Sequence, residues 1–283
     1  MKKRNVILCA ALTGLSLSAT AQKMNITRVG DTTIVKIDKS PKFLILPVQE
    51  DKNEAQVKLD EGKPTDTWMD IRLAQDKTDY YVPFKLNMGK TSVIKILNLK
   101  SDALTHKEGE MKLSNVWDVT NTDFYRPSYH HTPSYGWMND PNGMFYKDGV
   151  YHLCYQYNPY GSKWGNMHWG HAVSRDLVHW EEVNPTIARD PMGHIFSGSA
   201  VIDTDGTAGY GKNTIVALYT SASDENGQIQ CMAYSTDGGY TFHKYEKNPV
   251  LTPFDGLKDF RDPKVFWYAP LKKWYMIVSA DKE

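Results

Sequence analysis

Short strand-like runs separated by closely spaced turns fill this chain from residue 137 onward, and they carry a faint repeat. Ala-Val-Ser-Arg-Asp at residues 172–176 returns as Ala-Tyr-Ser-Thr-Asp at residues 233–237, an offset of 61 residues. An aromatic residue and then Asn-Pro follow each copy. A repeat of this length made only of short strands fits a blade of four antiparallel strands, so the pattern predicts a β-propeller.

Two aspartate-proline pairs occupy matching places in this repeat. Asp140-Pro141 and Asp262-Pro263 lie 122 residues apart, which is twice the offset. The innermost strands of a propeller line its central channel, so equivalent residues far apart in sequence converge there. We therefore expect both carboxylates to reach one channel from the entry of an inner strand. The Pro, Asn and Gly around the first aspartate predict that a turn holds it.

The first residues have the pattern of a secretory signal. A charged start, an apolar run and an Ala-x-Ala site predict a signal peptide at residues 1–21, cleaved after Ala21. The apolar run is too short for a membrane span. Cys9 offers a lipoprotein alternative, but bulky Leu8 directly before it disfavours that interpretation. The expected product is periplasmic or secreted.

The remaining chain is predicted to be all-β, with two parts. Alternating β-branched and aromatic runs at residues 22–120 predict a β-sandwich-like accessory domain, and residues 121–283 would be the first blades of an incomplete propeller. Cys154 and Cys231 lie in apolar runs and are expected to be buried thiols. Lys plus Arg and Asp plus Glu number 33 each, so no net field favours nucleic acid or an anionic membrane as partner.

Two carboxyl groups that face each other across a pocket are the minimal equipment for cleaving a glycosidic bond. Asp140, in its hydrogen-bonding frame, suits the nucleophile because a hydrogen-bonded carboxylate stays ionised. Asp262 follows Arg261, whose charge should also favour the ionised form, so it is poorly suited to be the general acid. The residues between the two aspartates do not identify that acid.

Five motifs in order make the chain resemble glycoside hydrolase family 32, the invertase, levanase and inulinase group. They are Trp-Met-Asn-Asp-Pro-Asn-Gly at 137–143, Tyr-Gln-Tyr-Asn-Pro at 155–159, Trp-Gly-Asn-Met-His-Trp-Gly-His-Ala at 164–172, Phe-Ser-Gly-Ser-Ala at 196–200 and Arg-Asp-Pro at 261–263. The resemblance implies a five-bladed β-propeller. It also implies a retaining mechanism on β-linked fructosyl units of levan, inulin or sucrose, with no cofactor.

The resemblance also implies roles for single residues. Asp140 would be the nucleophile that forms a fructosyl-enzyme intermediate, and Asp262 would hold fructose hydroxyls and stabilise the transition state. The other implied substrate-binding residues are Asn139, Gln156, Trp164, Phe196, Ser197 and Arg261. The residues before 120 resemble, more loosely, an extra amino-terminal β-domain of some bacterial members.

One departure from the family pattern bears on activity. The family's acid/base is a Glu in a Glu-Cys motif after Arg-Asp-Pro, whereas this sequence ends at Glu283 and has no Cys after Cys231. We therefore expect a fragment of a longer product, with little or no hydrolytic activity by itself. Alternatives are a fructosyltransferase, a non-catalytic fructan-binding propeller and, less favoured, an arabinan- or xylan-cleaving propeller enzyme.

Two further motifs are expected to be structural. His168 and His171, like the pair His130-His131, lack a Cys or acid that would complete a metal-ligand set, so no metal is predicted. Residues 235–242 match the Asp-box turn of sialidase-like propellers, in which Ser and Asp cap a turn. This turn favours a blade rather than a chemical role.

Overall fold

The computed structural model describes residues 23–97, 108–117, 126–254 and 256–281, and within these ranges the regular elements are β-strands and two short 3-10 helices. The predicted signal peptide with its cleavage site, the predicted domain boundary at 120/121 and Glu283 lie outside the described residues. No helix in the described ranges is long and apolar enough to cross a membrane.

The strands are numbered in chain order. They are β1 Met24–Val29, β2 Thr32–Ile37, β3 Phe43–Val48, β4 Ala55–Leu59, β5 Met69–Ile71, β6 Tyr80–Lys85, β7 Ser92–Leu97, β8 Lys112–Ser114, β9 Trp137–Lys147, β10 Val150–Asn158, β11 His168–Ser174, β12 Trp180–Ile187, β13 His194–Asp203, β14 Thr214–Ser223, β15 Gly227–Ser235, β16 His243–Lys244, β17 Asp259–Tyr268 and β18 Lys273–Asp281. The 3-10 helices are Glu108–Glu110 and Ala269–Leu271.

The amino-terminal part is a β-sandwich, as predicted. One sheet has the order β1-β2-β7-β4-β5 and the other β6-β3-β8, with antiparallel neighbours. Alternate residues of β7, such as Ile94 and Ile96, are fully buried because successive side chains point to opposite faces of a sheet. Their cluster also contains Leu44 and Leu46 of β3, so the core lies between the two sheets.

The carboxy-terminal part has the blade arrangement of a β-propeller. Two four-stranded antiparallel sheets have the orders β12-β11-β10-β9 and β13-β14-β15-β16, and β17 pairs with β18 in a third. The first strand of each sheet is innermost, since β13 contacts both β9 and β17. Blades two and three are joined there by Ser199, whose hydroxyl donates to the carbonyl of Pro263 at 2.8 Å and accepts from the Val265 amide at 3.0 Å.

The interface between the first two blades is apolar. Trp169 from β11, Ile195 from β13 and Tyr219 from β14 are almost completely buried in one cluster. Cys154 and Cys231 belong to the same cluster and are free thiols, as predicted. Burial raises the pKa of each thiol to about 12, so both stay protonated and behave as small apolar side chains.

The repeat seen in the sequence forms matching turns on the outer part of the blades. Ser174 donates to Asp176 at 3.1 Å, and 61 residues later Ser235 donates to Asp237 at 2.7 Å. Asp237 Oδ1 also accepts the backbone amides of Tyr240 and Thr241. The Asp-box motif is therefore structural in this chain, as predicted.

The sandwich and the propeller are held together by a polar clamp. The backbone amide and carbonyl of Asp70 in β5 bond the Asn166 side chain reciprocally, at 2.9 and 2.7 Å. Arg189 donates to the Asp70 carboxylate at 3.0 Å and to the Asn166 amide oxygen at 2.7 Å. Asn166 is almost completely buried, so this clamp is shielded from solvent and fixes β5 against the loop that precedes β11.

A second contact between the two parts centres on Glu50. Its carboxylate accepts from Tyr80 and, at 2.7 Å, from the Ser162 hydroxyl, while Lys163 donates to its backbone carbonyl at 2.9 Å. Burial opposes ionisation of Glu50, but these hydrogen bonds outweigh it and lower its pKa to about 2.

Candidate active site

The motif at 137–143 lies inside strand β9, so the prediction of a turn between strands was wrong. Its turn-forming residues make a bulge instead. Pro141 pairs with Tyr155 and Met138 with Tyr157, which leaves Asn139 and Asp140 together opposite Gln156. Two residues facing one is the definition of a β-bulge, and it bends the strand and redirects side chains.

Gly143 allows strand β9 to pass close to the Trp169 ring. Its φ is +54°, and a Cβ atom there would lie 2.5 Å from the Trp169 ring. Only glycine combines that backbone conformation with so close a contact. The indole N–H of Trp169 in turn donates to the carbonyl of Phe196 at 3.0 Å, so one buried ring links β9 to β13.

The other two inner strands have a bulge at the same level. In β13, Phe196 and Ser197 together face Thr220, because Ile195 pairs with Ser221 and Gly198 with Tyr219. In β17, Asp262 and Pro263 likewise stand between the pairs Arg261–Ser279 and Lys264–Ile277. The fourth residues of the three strands are Asp140, Ser197 and Asp262. The prediction that both aspartates stand at the entry of their strands is thus corrected: both lie within them, at equivalent positions.

Asp140, Ser197 and Asp262 converge in the channel. The Ser197 hydroxyl donates to Asp140 Oδ2 at 3.0 Å, and the Asn142 amide approaches the same hydroxyl at 3.5 Å. Asp140 is exposed, and Asp262 is close enough for the Asp140 charge to affect its pKa. Two carboxylates from blades one and three thus share one region of the channel.

Arg261 favours the ionised form of Asp262, as expected, but the net direction of the pKa shift is the opposite. The pKa of Asp262 is raised, first by partial burial and further by the nearby Asp140 carboxylate, and Arg261 only partly offsets this. The reason is geometric: Arg261 Nη1 bonds Asp259, whereas its Nε is 3.9 Å from Asp262 Oδ2. The Arg261 guanidinium therefore interacts mainly with the Asp259 carboxylate.

Two residues that sequence reasoning missed fix the Arg-Asp-Pro segment. Thr220 accepts the backbone amide of Asp262 at 3.2 Å. The Gln228 side chain accepts from the Phe260 amide at 2.9 Å and from Arg261 Nη1 at 3.3 Å. Thr220 and Gln228 both belong to the neighbouring blade. No local sequence motif indicates that they contact the Arg-Asp-Pro segment.

Aromatic residues form the wall beside the carboxylates. Trp164 is about half exposed, stacks on His194 with 5.6 Å between ring centroids and meets Phe196 edge-on at 5.9 Å. On the other flank the Trp137 indole donates to the Asn139 amide oxygen at 2.8 Å. That bond fixes the orientation of the Asn139 side chain next to Asp140.

Gln156 faces the first bulge from β10 and is 3% exposed. Its amide nitrogen has no hydrogen-bond partner among the described residues. A buried donor without a partner is costly, so such a group is a candidate for binding a ligand oxygen. The position fits the substrate-binding role that the resemblance implies.

A cavity of about 690 Å³ opens beside Trp164 and Phe196. Asp224 and Gln228 of the second blade also line it, and Gln228 connects it to Arg261. Most of its lining comes from the propeller, and the amino-terminal sandwich adds one side, which includes Trp68. Sequence reasoning missed this contribution.

Three histidines of the first blade, His152, His168 and His171, are buried. His168 donates through Nδ1 to the Asn166 carbonyl, and His171 lies 3.0 Å from His152. Burial lowers their pKa values, to about 4 for His168 and His152 and about 3 for His171, so all three are neutral near pH 7. No group of three or more His, Cys, Asp or Glu in the described ranges is arranged to hold a metal ion.

Both parts of the chain match known protein domains. Residues 130–283 match the model of the Glycosyl hydrolases family 32 N-terminal domain, and residues 30–129 match a domain of unknown function, DUF4980. A levanase of Bacillus subtilis is 57% identical over 159 residues, which are 55% of this chain and 23% of the levanase. An extracellular exo-inulinase of Meyerozyma guilliermondii is 48% identical over 176 residues, 58% of this chain and 34% of that protein.

A solved structure is similar as well. The fructofuranosidase of Schwanniomyces occidentalis, complexed with fructose, has a TM-score of 0.53 and 45% identity, covering 58% of this chain and 33% of that one. The chain thus covers 23% to 34% of the length of these relatives.

Proposed function

Because the chain belongs to glycosyl hydrolase family 32, as the match over residues 130–283 shows, we propose that the whole protein is a retaining β-fructosidase. Its substrates are the β-fructofuranosidic bonds of levan, inulin or sucrose. One observation carries the proposal: Asp140 and Asp262 occupy equivalent bulges of inner strands and interact across one channel. The names of the related levanase and exo-inulinase support the substrate class.

In the proposed reaction Asp140 attacks the anomeric carbon of a fructosyl unit. The bond to the leaving oxygen breaks, its electron pair stays on that oxygen, and a general acid supplies the proton. Water then attacks the same carbon and gives a proton to the group that acted as the acid, while the bond between the carbon and Asp140 breaks and the Asp140 carboxylate is restored. The general acid is not assigned among the described residues.

The surroundings of Asp140 suit this role. It is exposed to an incoming sugar, and the Ser197 hydroxyl holds one oxygen at 3.0 Å. Asp262 is proposed to accept hydrogen bonds from fructose hydroxyls and to stabilise positive charge on the ring in the transition state. Asn139, Gln156, Trp164, Phe196, Ser197 and Arg261 complete the proposed substrate contacts.

The test is Asp140→Asn in the whole protein, assayed on sucrose, inulin and levan. Removing a nucleophile should lower kcat on the order of 10⁴-fold or more, while sugar binding survives. Asp148→Asn is the matched control, since Asp148 is an exposed residue at the hairpin of the same blade with a positive φ that Asn tolerates. Unchanged turnover in Asp140→Asn would remove the nucleophile assignment. Binding without cleavage in the wild type would favour a fructan-binding propeller, and preferential transfer to sugar a fructosyltransferase.

We also propose that the protein acts outside the cytoplasm. The signal pattern at residues 1–21 and the description of one relative as an extracellular exo-inulinase support this. Amino-terminal sequencing of the mature protein tests it, and a first residue other than Gln22 would contradict cleavage after Ala21.

A further inference from the structure

The cavity beside the candidate active site has walls from both parts of the chain. The propeller contributes Trp164, Phe196 and Asp224, and the sandwich contributes Gln56 and Trp68. At about 690 Å³ the cavity is within the range of about 300–1,000 Å³ that is usual for ligand pockets. A domain that served only as a support would not need to contribute to this surface.

The two tryptophans are fixed by the same clamp. Trp68 precedes Asp70 by two residues, and Trp164 precedes Asn166 by two residues. Asp70 and Asn166 are the residues that bond each other reciprocally at 2.9 and 2.7 Å. The clamp that docks the sandwich therefore also sets where Trp68 lies relative to Trp164.

Trp68 is supported from its own domain as well. The Lys58 ammonium lies 4.7 Å from the centre of its ring, and Lys58 is paired with Asp60 at 3.3 Å. Asp66, which also lines the cavity, accepts the backbone amides of Glu61 and Lys63 at 2.7 and 3.1 Å. The loop before Trp68 is thus tied down by its own hydrogen bonds, which lowers the entropic cost of binding.

The chemistry of the cavity fits a sugar chain. A furanose unit offers an apolar carbon–hydrogen face, which packs on an indole ring, and hydroxyls that exchange hydrogen bonds with amides and carboxylates. Trp68 and Trp164 supply rings, while Gln56 and Asp224 supply polar groups. Because Phe196 lies next to Ser197, the partner of Asp140, a chain that is bound at Asp140 can continue into this cavity.

We propose that the amino-terminal sandwich is part of the substrate-binding cleft, with Trp68 binding fructosyl units beyond the one that meets Asp140. The inference rests on the proposed function and extends it. It makes the sandwich a determinant of preference for fructan chains over sucrose, because sucrose has no fructosyl unit beyond the one that meets Asp140.

The experiment is Trp68→Ala in the whole protein, with kcat and KM measured on the tetrasaccharide nystose and on sucrose. Loss of a stacking ring should raise KM for nystose by about 5- to 10-fold and leave KM for sucrose within about 2-fold. Trp68→Phe, which keeps a smaller ring, should give an intermediate KM for nystose. Tyr81→Ala is the matched control: Tyr81 is a half-buried aromatic of the same domain, stacked under Lys112 at 4.9 Å and remote from the cavity lining.

Equal effects of Trp68→Ala on both substrates, or no effect on either, would overturn the inference while leaving the β-fructosidase assignment intact. If the wild type cleaves neither substrate, the proposed function fails, and titration calorimetry with nystose then decides the binding question. Weaker nystose binding in Trp68→Ala than in Tyr81→Ala would still support the cavity as a sugar site, and equal binding would exclude it. Thermal melting of each variant verifies that it is folded.

Discussion

The propeller uses aspartate in two ways, and the outer turns and the inner strands show the difference. On the outer turns Asp237 accepts hydrogen bonds from Ser235 and from two backbone amides, and Asp176 is held in the same way. Within the described ranges, the side chain of Asp140 in the inner strands accepts one hydrogen bond, from Ser197, and that of Asp262 has only a long approach to Arg261. The outer carboxylates stabilise turns, whereas the inner carboxylates can still accept hydrogen bonds from a ligand.

The pKa values follow the same division. Burial opposes the ionisation of Asp237, yet the bonds from Ser235, Thr241 and Tyr240 prevail and lower its pKa to about 2. Burial and the neighbouring Asp140 raise the pKa of Asp262 instead. Perturbation by burial and a like charge, rather than by satisfied hydrogen bonds, is typical of functional sites.

After Asp140→Asn, the next largest effect that separates the two groups should come from Asp262→Asn. If Asp262 stabilises the transition state, its loss should lower kcat/KM on sucrose about 10²- to 10³-fold. The raised pKa means that the folded state disfavours the ionised form, so a neutral isostere should not lower, and should slightly raise, the melting temperature at pH 7. Kinetics and thermal melting on one preparation measure both. Full activity, or a clear loss of stability, would place Asp262 with the structural aspartates.

Asp237→Ala should lower stability and leave activity unchanged, and its effect should be smaller than that of Asp262→Asn. Removing the acceptor of two backbone amides and one hydroxyl should cost about 1–2 kcal/mol of unfolding free energy, while kcat of the folded protein stays unchanged. Since the folded pKa is depressed, this stabilisation is present above the unfolded pKa and is lost as pH falls towards about 2. Denaturant unfolding at pH 7 and near pH 3 should therefore show a shrinking difference between wild type and variant. Asp205→Ala, at another exposed propeller aspartate, is the control.

The sequence predicted the convergence of Asp140 and Asp262 better than their local structure. Repeat spacing alone indicated that Asp140 and Asp262 would converge, because equivalent positions of inner strands share one channel. The same residues suggested a turn, since Pro141 and Gly143 are turn formers. In this fold they mark a bulge within a strand, and Gly143 is required by its contact with Trp169. Pro or Gly within a strand can indicate a bulge, and that signal was present in the sequence.

Contacts between distant elements that the repeat does not mark could not be predicted. Thr220 and Gln228 reach the Arg-Asp-Pro segment from the neighbouring blade, and Trp68 reaches the cavity from another domain. Their positions follow from strand pairing and domain docking, which involve residues 30 to 120 positions away. The pKa direction of Asp262 was missed for the same reason, because it depends on burial in the folded chain and on the Asp140 carboxylate from another blade.

The smallest predicted effect tests the electrostatic link between the inner carboxylates directly. The Asp140 charge raises the pKa of Asp262. Asp140→Asn removes that negative charge, so it should lower the pKa of Asp262. Burial of Asp262 persists in the variant, so we expect a partial return towards the ordinary value. Nuclear magnetic resonance titration of the Asp262 side-chain carbonyl in wild type and variant measures it, with Asp148→Asn as the charge-matched control on the same blade. If the pKa of Asp262 were the same in all three proteins, the two aspartates would not share one electrostatic environment, and the division between outer and inner aspartates would rest on hydrogen bonding alone.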